Sequence, residues 1–277
     1  MKQVIAEVIS NEQILGELER VDAGTFKRPE ARNVLGSWLM WLKCPEIAHE
    51  AQPGQFVMVR CDDYVLPRPI SIHQSNNTGV ALFYSVLSEG KGTKWLSERK
   101  KGEIIELFGP LGNGFEIESV FHRLLLVAGG MGIAPLCFLA QMATEKGLPV
   151  TLLYGTAGGE RYPENLLPPK VELISATEDG SIGYRGFITD LIPKYAGKAD
   201  QIFACGPMSM YQNMASRRKE LKLERKPVQV SLEVRMGCGT GVCYGCTIKT
   251  KKGLKQVCAD GPVFDLDEVL WDELNYL

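Results

Sequence analysis

Apolar and polar positions change rhythm twice along this chain. Up to about Phe115 the apolar positions come in short, β-like runs at residues 4–10, 36–42, 55–60, 69–73, 80–86 and 103–108, separated by Gly, Pro, Asn and Asp. Six short strands with turn signals between them predict a small closed or nearly closed barrel. One helical stretch, 93–100, interrupts them directly after Gly90-Lys91-Gly92. Beyond Phe115 the pattern becomes strand then helix, over 123–128, a helix to about 146, 150–154, 171–177, 187–195, 201–205 and 208–221. That alternation predicts a parallel sheet covered by helices. The last segment predicts a strand at 228–234, a β pair at 246–250 and 254–258, and a closing helix opened by a capping box of Asp265 and Glu268.

The fold class expected is therefore α+β and multidomain. A β-barrel domain spans 1–118, an α/β parallel-sheet domain 119–226, and a C-terminal domain 227–277. A length of 277 residues suits two or three domains. The 45% apolar and 23% charged fractions are ordinary for soluble protein, and a formal charge of −2 gives no reason to expect nucleic acid. Basic residues do gather at Arg217, Arg218, Lys219, Lys222, Arg225 and Lys226, which reads as a solvated helix end or as a docking surface for an acidic partner. The opening MKQVIAEVIS alternates like a strand and lacks the apolar run of a signal peptide. The uncharged stretch 124–143 has the length of a membrane span, but Gly129-Gly130-Met131-Gly132 and Pro135 divide it into a strand and a helix. No membrane association is expected. Cys44, Cys61, Cys137 and Cys205 stand singly, which suits a reducing cytoplasm.

The other four cysteines carry chemistry in their spacing. Cys238, Cys243 and Cys246 form a CxxxxCxxC run and Cys258 follows at a distance, as in plant-type [2Fe–2S] sites. Gly237, Gly239, Gly241 and Gly245 interleave with them, so the backbone can turn through positive φ and aim N–H groups at anionic sulfur. Structural zinc usually repeats a CxxC pair, and only Cys243 and Cys246 form one here. A disulfide framework fits poorly with a long chain of scattered cysteines.

Three further places suit nucleotides. Gly130, Gly132 and the following Ile133-Ala134-Pro135 lie between an apolar strand and a helix, where a glycine turn brings N–H groups and the helix dipole to a pyrophosphate. Pro135 replaces the usual third glycine, and no acidic residue ends the second strand; Glu160 and Arg161 nearby point in opposite directions on NAD or NADP. Arg68-Pro69-Ile70-Ser71 puts a permanent cation and a hydroxyl on one strand, and Gly92-Thr93 opens a helix. Each is also compatible with plain surface or capping roles. Cys205 ends a strand at the carboxyl edge of the expected sheet, within reach of a nicotinamide, but no His or Lys adjoins it to make a thiolate. His49, His73 and His122 form no spaced pair.

Together, RPIS, GKGT, GGMGIAP, CGPMSM and the terminal cysteines resemble the ferredoxin-reductase superfamily. More narrowly, residues 231–238 and 258–264 resemble the electron-transfer subunits of class 1B dihydroorotate dehydrogenases. The resemblance implies FAD on the barrel at Arg68, Pro69, Ile70, Ser71, Phe83, Tyr84, Ser85, Gly92 and Thr93, with Ser85 standing where the family often has arginine. It implies NAD at Gly130, Gly132, Pro135 and Cys205, and cluster ligation by Cys238, Cys243, Cys246 and Cys258. It further implies an FMN-containing dihydroorotate dehydrogenase catalytic subunit as partner in a heterotetramer, serving pyrimidine biosynthesis with NAD+ as final acceptor. No side chain of this chain is expected to act as an acid or base. The alternative is the small subunit of a ferredoxin:NADP transhydrogenase or sulfide dehydrogenase, whose transhydrogenase members tend to place aspartate at the position of Cys238.

Overall fold

The computed structural model describes residues 2–16, 34–159 and 162–274. Strands β1 (Lys2–Leu15), β2 (Val34–Lys43), β3 (Phe56–Val59), β4 (Arg68–Asn76), β5 (Gly79–Leu87) and β6 (Ile104–Leu111) close into an antiparallel barrel in the order β1-β2-β5-β4-β3-β6. Alternation explains the closure: Val80, Leu82, Tyr84 and Val86 of β5 enter the barrel core, while Ala81 and Phe83 point outward. Two short helices, α1 (Pro45–Ala48) and α2 (Lys91–Ser97), lie between barrel strands.

The second layer is a seven-stranded sheet. Its strands are β7 (Leu124–Gly129), β8 (Val150–Thr156), β9 (Val171–Thr177), β10 (Tyr184–Arg185), β11 (Gln201–Cys205), β12 (Val228–Ser231) and, past the two-stranded pair β13 (Thr247–Thr250) and β14 (Gly253–Gln256), β15 (Val263–Asp265). The order is β10-β9-β8-β7-β11-β12-β15, parallel except for β15. Helices α3 (Ile133–Glu145), α4 (Ile192–Ala196) and α5 (Met208–Ser216) complete the chain. Central β7 is apolar throughout because both faces are covered: Leu124, Leu126 and Ala128 join the cluster that meets the barrel, and Leu125 and Val127 the cluster on the other face.

Helix α3 explains the membrane-length run. It is wedged between barrel and sheet, with Phe138 in the barrel cluster and Leu136, Leu139 and Ala140 in the junction cluster. A helix pressed on opposite sides needs no polar stripe. Among the described residues no helix is long and apolar enough to cross a membrane.

Between β8 and β9 the described residues form only a short 3-10 turn, Glu164–Leu166, where Pro163, Pro168 and Pro169 leave no room for a longer helix. Two expectations are corrected. The helix after β11 stops at Ser216 rather than 221, and three of the basic residues beyond it, Arg217, Arg218 and Lys226, are spent internally while Lys219, Lys222 and Arg225 are exposed. Arg217 pairs with Asp190 at 3.2 Å and with Glu220, Arg218 with Asp267 at 2.7 Å, and Lys226 donates to the Ala199 carbonyl. Among the described residues the closing helix is reduced to a 3-10 turn, Trp271–Glu273. Asp265 belongs to β15 and its Oδ1 accepts the Asp267 N–H (2.7 Å), Glu268 turns to Lys252 (2.9 Å), and the Glu268 carbonyl accepts the Lys251 N–H (2.8 Å). The Asp267 N–H and the β13–β14 turn have taken the groups a capping box needs. Glu160 and Arg161 lie outside the described residues.

Candidate functional site

The barrel motifs converge. Arg68 opens β4, and a Cβ on Gly92 would fall 2.5 Å from its Nε, so only glycine lets the guanidinium lie against the first turn of α2. The guanidinium also sits 6.0 Å from the centre of the Tyr64 ring. A fixed cation beside free helix-start N–H groups fits a phosphate. Thr93 Oγ1 donates to the Gly90 carbonyl at 3.4 Å, back to the residue that starts the helix. Ile70 is turned into the barrel core, leaving the half-buried Pro69 and Ser71 on the other face. Tyr84 is held inside the barrel, its hydroxyl donating to Asn11 Oδ1 (3.1 Å), and Phe83 is buried at the junction with the sheet. Ser85 Oγ lies 2.9 Å from Ser37 Oγ, which reaches Met131 Sδ at 3.8 Å. Thus a hydroxyl pair links the barrel to the glycine turn.

That turn and Cys205 are neighbours. Cys205 pairs in register with Ala128, and a Cβ on Gly132 would lie 1.9 Å from the Cys205 carbonyl oxygen. Gly130 has φ +52 and open space around its Cβ position, which leaves the turn accessible to a bulky anion. Pro135 is buried in the first turn of α3, where a missing N–H breaks no helical bond. Burial pushes the Cys205 thiol up to about 12, so it stays protonated. The Tyr211 hydroxyl accepts the Gly206 N–H (2.8 Å) and donates to the Ser231 carbonyl (2.5 Å), bracing the strand end. Glu233 adds a group that sequence reasoning passed over. It is open to solvent on one side yet crowded by protein, and that desolvation raises its carboxyl pKa. Its charge in turn acts on Cys205. The pairing of Cys205 with Ser231 is what brings it there, a contact no local signal carries.

The cysteine loop gathers its sulfurs in twos. Cys246 Sγ and Cys258 Sγ are 3.3 Å apart, and Cys238 faces Cys243. Backbone N–H groups aim at sulfur: Gly241 to Cys258 (3.1 Å), Thr240 to Cys238 (3.4 Å) and Cys258 to Cys246 (3.5 Å). Burial opposes ionisation of Cys238, but donors from Thr240 and Cys243 outweigh it and bring the thiol down to about 6. All eight cysteines are free thiols. Among the described residues no three His, Cys, Asp or Glu groups converge on a single-ion site. Two thiol pairs with N–H donors fit a two-iron cluster, one pair to each iron, better than one tetrahedral zinc.

The loop rests on the barrel. Gly239, at φ +73, is so close to Met58 that a Cβ would meet its Cγ at 2.7 Å, and Met58 is the register partner of Pro69. Cys238 and Met58 line a cavity of about 200 Å³ with Arg60, Tyr64, Pro67 and Phe108. Asn113 pins the return segment: Nδ2 donates to the carbonyls of Val263 (2.9 Å) and Asp260 (3.2 Å), and Oδ1 accepts the Val263 N–H (2.9 Å). In sequence this asparagine, between two glycines, reads only as a turn residue.

Comparison with known proteins accords with this geometry. The family model for the iron–sulfur cluster binding domain of dihydroorotate dehydrogenase B matches residues 233–270. An electron transfer subunit of dihydroorotate dehydrogenase B (NAD(+)) from Clostridium acetobutylicum is 37% identical over 226 residues, covering 81% of this chain and 88% of its own. The chain belongs to this family of electron transfer subunits. A second member, from Caldanaerobacter subterraneus subsp. tengcongensis, is 39% identical over 229 residues, covering 79% of this chain and 87% of the relative. Among solved structures, an NADH-dependent reduced ferredoxin-NADP oxidoreductase that performs flavin-based electron bifurcation superposes with TM-score 0.80 at 29% identity, covering 98% of this chain and 91% of that one. A ferredoxin reductase of carbazole 1,9a-dioxygenase, at 20% identity and TM-score 0.61 over 83% of this chain and 68% of its own, shares the fold.

Proposed function

We propose that this chain carries electrons from the FMN of a dihydroorotate-oxidising partner subunit, by way of a [2Fe–2S] cluster and FAD, to NAD+ in cytoplasmic pyrimidine biosynthesis. The observation that carries the proposal is the seating of the cysteine loop on Met58, directly beside the strand that bears Arg68 to Ser71. FAD, when bound, supplies the exchange between hydride and single electrons that joins a nicotinamide to a cluster.

The residues divide the work. Cys238 with Cys243 and Cys246 with Cys258 hold the iron; Arg68, Gly92 and Thr93 hold flavin phosphate. Pro69, Ser71, Phe83 and Ser85 shape the flavin wall, while Ile70 and Tyr84, turned into the barrel core, support it from behind. Gly130, Gly132 and Pro135 form the nucleotide seat, and the protonated Cys205 offers a neutral, polarizable surface to the nicotinamide. The functional units are 1–118, 119–226 and 227–277. Around the cluster, Val242 is 75% and Tyr244 69% exposed, and Val65 stands out beside the Cys238 cavity. Those apolar side chains suit the face that meets the catalytic subunit, two copies of each chain making a heterotetramer.

Co-expression with that subunit tests the proposal. Reconstitution with Cys246→Ala is expected to abolish NAD+-linked dihydroorotate oxidation while the catalytic subunit still reduces an artificial acceptor; retained NAD+ coupling refutes it. The extensive superposition on the ferredoxin-NADP oxidoreductase favours a second reading, a transhydrogenase or sulfide dehydrogenase small subunit. NAD+ reduction driven by reduced ferredoxin or sulfide, and not by dihydroorotate, would select it.

A further inference from the structure

Strand β4 continues past Ser71 to His73, whose ring is fully buried where the barrel meets α3. Nδ1 lies 3.0 Å from the Ala134 carbonyl oxygen and Nε2 2.8 Å from the Tyr162 hydroxyl. A carbonyl can only accept, so Nδ1 carries the proton. Burial holds the ring neutral, its pKa pushed down to about 4, so Nε2 is bare and Tyr162 donates to it. The Phe83 ring packs 5.4 Å from the imidazole and 5.4 Å, edge-on, from Tyr162. Both ring nitrogens are satisfied, and each partner belongs to a different segment.

The segments matter. Ala134 lies in the first turn of α3, directly after the glycine turn assigned to the nucleotide, His73 is two residues past Ser71 on the flavin strand, and Tyr162 lies in the loop after β8. A buried imidazole used only as filler could be replaced by an apolar side chain of similar size, with no donor or acceptor to satisfy. Two directed hydrogen bonds fix orientation as well as distance.

We propose that His73 is a positioning residue for hydride exchange: by donating Nδ1–H to the Ala134 carbonyl it fixes the start of α3, and with it the adjoining nucleotide turn, against the strand of Arg68 and Ser71, while the Tyr162 hydroxyl holds its bare Nε2. The inference rests on the assignment of NAD to the turn and FAD to β4. A nicotinamide reacts only from a narrow range of distances and angles, so a shift of the turn by a fraction of an ångström slows transfer.

Two substitutions separate the bonds. In the full chain carrying its own cofactors, the amide nitrogen of His73→Asn sits where Nδ1 was and keeps the Ala134 contact. The amide of His73→Gln sits where Nε2 was and keeps only Tyr162. Single-turnover flavin reduction by NADH and the NAD+ dissociation constant from calorimetry are measured with FAD content. His73→Gln is expected to keep FAD, slow reduction about tenfold and weaken NAD+ severalfold, with His73→Asn within about threefold of the parent chain. In the parent, 15N NMR is expected to show one neutral tautomer with bare Nε2, kept in Tyr162→Phe with the Nε2 resonance moved by loss of its donor. Equal behaviour of the Asn and Gln variants, or mixed tautomers in the parent, overturns the proposal. Gly130→Asp tests the underlying assignment, since it sets a carboxylate in open space at the turn. If Gly130→Asp leaves NAD+ affinity unchanged, the nucleotide assignment fails; if it weakens NAD+ while the His73 variants match, only the positioning role fails.

Discussion

Helix α3 and the cluster loop are ordered by different means. Nine of the thirteen residues of α3 are buried, pressed between barrel and sheet. Between Cys238 and Cys246 only Gly239 and Cys246 are buried, and Tyr244 stands at φ +58 without a core to support it. The helix is held by packing on two sides. The loop relies on N–H contacts to sulfur, on one glycine against Met58 and on the metal its thiols would take, so its order and its cargo are coupled. Under the proposed function, hydride transfer, which demands fixed geometry, falls to the packed region, and electron exchange, which tolerates more distance, to the loop.

Three measurements press on this contrast. Phe138→Ala removes the ring α3 sends into the barrel cluster and is expected to lower global stability by about 3–5 kcal/mol in denaturant titrations. Iron per folded molecule is expected to stay the same. Acid is the second lever. His73 has its pKa lowered from the usual 6.5 to about 4 in the folded chain, so between those values the unfolded chain binds the extra proton. The contribution is complete above pH 6.5 and fades as pH falls to 4, about 3 kcal/mol in all. Unfolding followed from pH 7 to 4 is expected to show this slope, flattened in His73→Asn. The smallest effect falls on the loop. Asn113→Ala leaves the Val263 N–H and two carbonyls without their partner, about 1–3 kcal/mol felt locally. Faster iron loss to a chelator with unchanged FAD content is the expected sign.

How much the sequence disclosed depended on whether a signal was local. The six barrel strands and β7, β8, β9 and β11 followed from short apolar runs between turn signals, because burial on one or two faces is written directly into each strand. The iron–sulfur domain was legible through the spacing of its cysteines. His73, Asn113 and Glu233 were not, since each matters through partners at least sixty residues away or through a neighbouring strand. The closing helix shows the reverse failure. Asp265 and Glu268 carry a sound local signal, but β12 and the hairpin claim that segment first.

The sheet also limits how this chain can be divided. β12 pairs with β11 and β15 with β12, and Val228, Val230, Leu232 and Phe264 belong to the same apolar cluster as Leu125 and Ile202. A fragment ending at residue 226 would leave the edge of β11 bare, with unmet N–H and C=O groups beside an uncovered apolar face, a template for aggregation. The cluster segment is thus no detachable cassette: grafting it onto another reductase, or shuffling it away, would require carrying half the edge of the nucleotide sheet along with it.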